Sequence, residues 1–358
     1  MSFFGLLLAP RSLVALVLVV GTCWFGLNYS VHHVGKNAFE TLYLHLLPAE
    51  LVHHHEGEEH GGEHAHEAGA EHADGEHSEA AGHDGDHAEH SYSRADYLFT
   101  LPAFGPLAMV ATNVHEISAG TTTEAPFIAL TNLQLFQLLA ILLLIVCFSG
   151  VPRYLRTGSG DPLTKLFAGW ALWVRDDMVY SVMGKDLGRK FLPYFLFVFF
   201  FVLFMNLLGL VPGSATATAS VYITAALALT TLGAMLGCGM VHQGPVAFWK
   251  NLVPHVPAAL WPLMFIVELI GVMVKPFALM VRLFANMTGG HMVVLSFMGL
   301  IFFFGMSFSA GAGFGVSPVA VAFGVFIMII EVFVAMVQAF VFTQLSVIFV
   351  NMSVHPEH

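Results

Sequence analysis

The sequence predicts an all-α, polytopic membrane protein: five membrane helices, one amphipathic surface helix and a disordered His-rich insert near the N-terminus. The last two membrane helices are expected to form a long, tilted hairpin. Three observations carry this prediction. Of 358 residues, 57% are hydrophobic and only 10% charged, a composition outside the soluble globular range. Several apolar runs reach about 20 residues, enough to cross a hydrocarbon layer about 30 Å thick. The charge is also segregated. Residues 53–90 hold twelve Asp or Glu and no Lys or Arg, leaving 13 basic against 12 acidic side chains elsewhere. The net charge of −11 therefore belongs to one insert, and no basic nucleic-acid surface remains. Cys23, Cys147 and Cys238 lie far apart in or beside apolar segments, so no disulfide framework or CxxC motif is present.

Residues 1–29 form a signal-like or short N-terminal membrane segment. The apolar run 12–28 follows a single Arg11 and fits either a secretory signal or a first span. Residues 53–90 contain eleven His among the acidic residues, with mostly Gly and Ala between. Such a segment has too little apolar surface to offset its ordering entropy and is expected to be disordered. Histidine tracts of this kind bind divalent transition metals weakly, and His53, His54, His55, His60, His64 and His66 are the candidate ligands. A solvated acidic spacer is the competing reading.

The membrane domain is predicted over 130–351. Residues 92–128 read as an external loop, and 130–148 as the next span. Arg153, Arg156, Lys165, Arg175, Lys185, Arg189 and Lys190 then follow within forty residues. Inside that block, 163–182 reads as an amphipathic surface helix, with Leu166, Phe167, Trp170, Trp173 and Val174 set against Lys165, Arg175, Asp176 and Asp177. A Phe-rich span at 191–210 ends in NLLGLVPG, and a span rich in Ala, Thr and Gly at 219–240 suits close helix packing. Residues 241–261 are expected to be a loop, 305–318 a turn, and 319–351 the last helix. The basic block and Lys250 mark their side of the membrane as cytoplasmic, which puts the His-rich segment outside and the C-terminus inside.

The long helix from Trp261 to about Phe308 carries the informative polar pattern. Its ionisable residues are Glu268, Lys275, Arg282 and His291. The first three are seven apart and form one stripe, with roughly 10 Å between successive members. Asn286 lies near that stripe, whereas His291, nine residues past Arg282, points to about the opposite side of a straight helix. A helix of this length spans roughly 70 Å against a core of about 30 Å, so it must tilt steeply or bend. Pro276 and Gly289-Gly290 are the candidate bends. Arg282 cannot shed its proton, and a charge at that depth marks a functional site by default. The plainer reading has Lys275 and Arg282 snorkelling at the end of an ordinary span. The last helix carries one ionisable residue in its interior, Glu331, with Gln338 on the same face. A Glu opposite a His across a helix hairpin serves either as a proton relay or as a structural hydrogen bond.

The run KPFALMVRLFANMTGGH (275–291), with Glu268 fourteen residues before the arginine, resembles subunit a of the F-type ATP synthases. NLLGLVP (206–212) and VQAFVFTQL (337–345) share that resemblance, which spans about 130–350 in order. It implies the F0 proton-channel subunit of a bacterial inner membrane. Partners are then the c-subunit ring, the b subunits, the rest of F0/F1 and lipid, without a cofactor. By resemblance, Arg282 is the stator arginine facing the ring, and His291 and Glu331 line the inlet half-channel. Gln338 and Asn286 are its polar neighbours, and Glu268 lies at the outlet. Ala285 stands where many relatives have Gly. No GxxxxGK[ST] motif is present, so no ATP-hydrolysing site is expected in this chain. The alternative is a zinc-type metal-ion transporter with a His-rich external loop. It would need intramembrane ligands at helical spacing, whereas His291 and Glu331 are single and His242 and His255 fall in the predicted loop.

Overall fold

In hydrocarbon a backbone has to satisfy its own hydrogen bonds, so an apolar chain resolves into helices. The computed structural model describes residues 10–31, 50–51, 100–102, 127–211, 216–253, 257 and 260–354. Its helices are α1 (Pro10–Tyr29), α2 (Asn132–Phe148), α3 (Val151–Thr157), α4 (Pro162–Trp173), α5 (Ser181–Gly209), α6 (Val221–Gln243), α7 (Pro245–Asn251), α8 (Trp261–Ser307) and α9 (Ala310–Val354). A π-helical stretch, Val174–Tyr180, joins α4 to α5, and a 3-10 turn, Ala217–Ala219, precedes α6. Five of these helical segments are long and apolar enough to cross a membrane. The chain divides into two compact units, residues 51–129 forming one and the rest the other. In the smaller unit, β1 (Thr100–Pro102) pairs antiparallel with β2 (Phe127–Ala129), Thr100 opposite Ala129. The His-rich insert at 53–90 lies outside the described residues.

The larger unit is organised around α5. Phe195, Val198, Phe199, Phe200, Val202 and Leu203 are all buried. Phe200 meets Phe148 edge-on at 4.6 Å and Phe167 at 5.8 Å, the preferred geometry for aromatic quadrupoles. Around α5, 61% of the apolar window is buried, against 17% in α8 and 22% in α9. The last two helices therefore leave most of their surface outside the chain's own core.

The amphipathic helix forms as α4 and the π stretch, with Leu163, Ala168, Val174, Met178 and Val179 buried and Lys165, Asp176 and Asp177 exposed. Leu166 and Trp173 are exposed rather than packed inward, and Trp173 stacks on Phe340 at 5.8 Å. Gly184, at φ 73°, interrupts the helical path where surface helix gives way to span. That conformation is open to glycine and strained for other residues.

Three boundaries differ from expectation. The expected loop at 241–261 contains α7: Gly244, at φ 86°, ends α6, and Pro245 at the first helical position starts the next helix. His242 accordingly lies in the last turn of α6. The turn expected at 305–318 shrinks to Phe308 and Ser309, and α9 begins at Ala310 with Pro318 inside it. Two of the glycines there are packing surface: Gly313 lies against Gly305, and an added Cβ would sit 3.0 Å from the Gly305 Cα. Ser309 Oγ accepts from the Ala312 N–H at 3.2 Å and so starts the helix. Finally, α8 is one helix of 47 residues, with no break at Pro276 or Gly289-Gly290. Its length of about 70 Å is more than twice a hydrocarbon core of about 30 Å.

Residues 10–29, signal-like in sequence, form a helix docked on α2. Cys23 is buried, with Ala15, Leu18 and Val19 against the core. Arg11 donates to Thr164 Oγ1 at 2.6 Å and pairs with Asp161 at 3.1 Å. Gly150 makes room for it, since a side chain there would collide with the guanidinium.

Candidate functional site

The helix α8 buries a single stripe, Val272, Pro276, Leu279, Leu283 and Met287, at the 3.6-residue repeat. Arg282 and Asn286 lie beside that stripe on the exposed face, together with Val281, Ala285 and Gly289. Among the described residues, Arg282 has no hydrogen-bond or ion-pair partner. A guanidinium left unpaired in the middle of an apolar helix requires a partner of opposite charge or water.

Across from it, α9 supplies Gln338, which is 3% exposed. Its Oε1 accepts from Asn286 Nδ2 at 2.8 Å. The glutamine thus bonds the asparagine one turn from Arg282 rather than the arginine itself. Gln338 Nε2 has no protein partner.

Seven residues before Gln338, Glu331 reaches α8 at Gly290. A Cβ on Gly290 would collide with the Glu331 carboxyl, so glycine is what lets the carboxyl lie against α8 at this position, one residue before His291. Both Glu331 oxygens are buried without a partner among the described residues, as are Asn206 Oδ1 near the end of α5 and Thr218 Oγ1 in the 3-10 turn before α6. Glu331 thus lies at the residue preceding His291 in α8, and no direct hydrogen bond joins the two. His291 Nε2 instead lies 3.0 Å from Thr216 Oγ1. Asn206, wholly buried, donates to the Ala335 carbonyl at 3.5 Å and ties α5 to α9.

Toward the other end of the hairpin, a cavity of about 500 Å³ is lined by Glu268, Lys275, Gln243, Asn251, Asn351 and Ser353, among others. Lys275 lies over the Phe349 ring at 5.8 Å. The predicted residues therefore fall into three places: Arg282 with Asn286 and Gln338; His291 with Glu331; and Glu268 alone in the cavity. Residue chemistry does not single out Thr216 or Asn206, and it marks Gly290 as a bend rather than as the neighbour of Glu331. Asn206 carried a signal through its NLLGLVP motif, whereas Thr216 and Gly290 depend on pairings distant in sequence. Among the described residues, no group of three or more His, Cys, Asp or Glu could hold a metal. The six candidate histidines of the insert lie outside those residues.

Long apolar helices with ionisable side chains at their interface define a multi-pass membrane protein with polar groups in its spans. The family model for the ATP synthase A chain matches residues 134–351, and the chain belongs to that family. It is 40% identical over 208 residues to ATP synthase subunit a of Myxococcus xanthus, covering 58% of this chain and 64% of that protein. It is 35% identical over 235 residues to ATP synthase subunit a of Chloroherpeton thalassium, covering 64% and 68%. A third relative, from Anaeromyxobacter dehalogenans, is 40% identical over 181 residues, or 50% of this chain and 45% of that one. The chain thus spans roughly half to two thirds of the length of these relatives.

Proposed function

We propose that this chain is the ion-translocating a subunit of an F-type ATP synthase, non-catalytic itself, coupling proton flow to rotation of a c-subunit ring. The observation that carries this reading is Arg282, exposed on an apolar helix face and without a partner among the described residues. A ring helix bearing a carboxylate is the complement that face lacks. Membership of the ATP synthase A chain family supports the same partner, along with the b subunits and the remainder of F0 and F1.

In this mechanism a proton enters from the periplasmic side past Glu331 and His291. The buried carboxyl oxygens of Glu331 and the unpaired atoms of Asn206, Thr218 and Gln338 mark a polar route, because buried polar groups without protein partners are satisfied by water. The proton neutralises a ring carboxylate, which then turns into lipid at low desolvation cost. After nearly a full revolution the carboxylate arrives beside the cavity at Glu268 and Lys275 and releases its proton to the cytoplasm. Arg282, between the two routes, favours the ionised carboxylate and repels a proton taking the direct path. Each charge crossing 100 mV contributes about 2.3 kcal/mol, so several crossings are needed per ATP. The seven Lys and Arg of 151–190 support a cytoplasmic position for that side, and the reading puts the chain in a bacterial inner membrane with 53–90 in the periplasm.

The test is Arg282→Ala in the reconstituted complex. ATP-driven proton pumping is lost while the complex assembles; coupled pumping at the wild-type rate would refute the assignment.

A further inference from the structure

We propose that Thr216 is the positioning residue that decides which nitrogen of His291 exchanges the proton. The proposal rests on the reading of His291 as an inlet group.

Gly209 is the last residue of α5, so its carbonyl is among the final four of the helix that lack an intrahelical donor. Thr216 Oγ1 lies 3.2 Å from that carbonyl and donates to it. The approach needs a bare backbone: a Cβ on Gly209 would stand 2.9 Å from Thr216 Cγ2 and 3.4 Å from Met287 Cε. A hydroxyl has one hydrogen, and a carbonyl can only accept. With that hydrogen committed to Gly209, the 3.0 Å contact between Thr216 Oγ1 and His291 Nε2 must be donated by the histidine. The neutral ring is therefore the Nε2–H tautomer, and Nδ1 keeps its lone pair.

The proton balance follows. An incoming proton adds to Nδ1 and gives an imidazolium whose Nε2–H still bonds Thr216. Loss of the Nδ1 proton regenerates the starting ring, with no exchange at Nε2. Thr216 also opposes a ring flip, which would pull Nε2–H away from its acceptor. The titratable group facing this pair from α9 is Glu331, at Gly290. Among the described residues of 206–219 the polar side chains are Asn206, Thr216 and Thr218, none of them ionisable. Thr216 is itself buried, at 5% exposure, so no bulk water competes directly for the hydroxyl.

Thr216→Val and Thr216→Ser are compared in the intact, reconstituted ATP synthase, with His291→Ala in parallel, by ATP-driven proton pumping across a pH series. The valine keeps the side chain's shape but removes the hydroxyl. It is expected to slow pumping roughly tenfold, the rate equivalent of one lost buried hydrogen bond, with a displaced pH profile. The serine restores both. Wild-type rate and profile in Thr216→Val overturn the proposal, as does equal impairment of the serine and valine variants. Should the valine variant fail to assemble, the wild-type complex with ¹⁵N-labelled histidine decides by solid-state NMR. The signal absent from a His291→Asn complex is expected to be that of Nε2–H, and an Nδ1–H tautomer overturns the assignment. Normal pumping by His291→Ala would instead sink the inlet reading, independently of the tautomer.

Discussion

Glu331 illustrates how a single residue is positioned by something other than its own chemistry. Its carboxyl fits between two long helices because residue 290 has no side chain. Gly290→Ala must displace either the carboxyl or the backbone, and overpacking of this kind costs about 1–3 kcal/mol. The expected outcome is a lower melting temperature of the purified complex together with slower pumping; an unchanged melting temperature and rate would show that the carboxyl has room to move. Glu331→Gln retains the shape and loses the exchangeable proton. Removing a proton-transfer group costs on the order of 10²-fold or more in rate, so proton flux in membrane vesicles is expected to fall by that order with assembly unaffected. A normal flux would leave Glu331 a structural side chain. Residue types alone named Glu331, His291 and Arg282, because ionisable groups are few in apolar helices and each stands out. They did not name Thr216 or Gly290, whose roles arise from contacts 75 and 41 residues away, respectively. A threonine or glycine is ordinary in any membrane helix.

At the scale of the element, the hairpin of α8 and α9 was legible in length and polarity but not in its turn. The run FSAGAGFGVSP has the composition of a loop. Yet its Gly313 makes a close contact with Gly305 across the hairpin, and in lipid a helix is the form that satisfies the backbone groups of the run. Gly313→Val tests this: its side chain would meet the Gly305 backbone and the Ile301 carbonyl at 3.1 Å. A loss of about 1–3 kcal/mol in the thermal stability of the complex is expected. No change would mean the helices part freely at that end. Pro276 and Gly289-Gly290 do not interrupt α8 for a related reason. Pro276 is buried in the packed stripe, and neighbouring groups can satisfy the backbone that a proline frees in a membrane helix. The extra helix α7 escaped notice because seven residues are too short for an amphipathic period to register, although Gly244-Pro245 is the stop-and-start signal it uses.

Over the whole molecule, the contrast is between a core gathered on α5 and a hairpin with fewer than a quarter of its residues buried. Hydropathy alone forecast five spans and cannot separate a lipid-facing helix from one that faces a partner. That distinction comes from Arg282, since lipid offers nothing to an unpaired guanidinium at mid-helix. The His-rich stretch at 53–90 lies outside the matched family region, residues 134–351. Deleting it is expected to leave ATP synthesis by an assembled complex unchanged, and loss of synthesis would assign that stretch a part in coupling. The most direct test of the central claim is cysteine crosslinking in native membranes from Ala285, exposed on the Arg282 face. The account predicts that Ala285→Cys joins a small two-helix subunit at a position beside its intramembrane carboxylate, while a cysteine at buried Leu279 does not. If Ala285→Cys forms no such product in a complex that pumps normally, the arginine does not face a rotor.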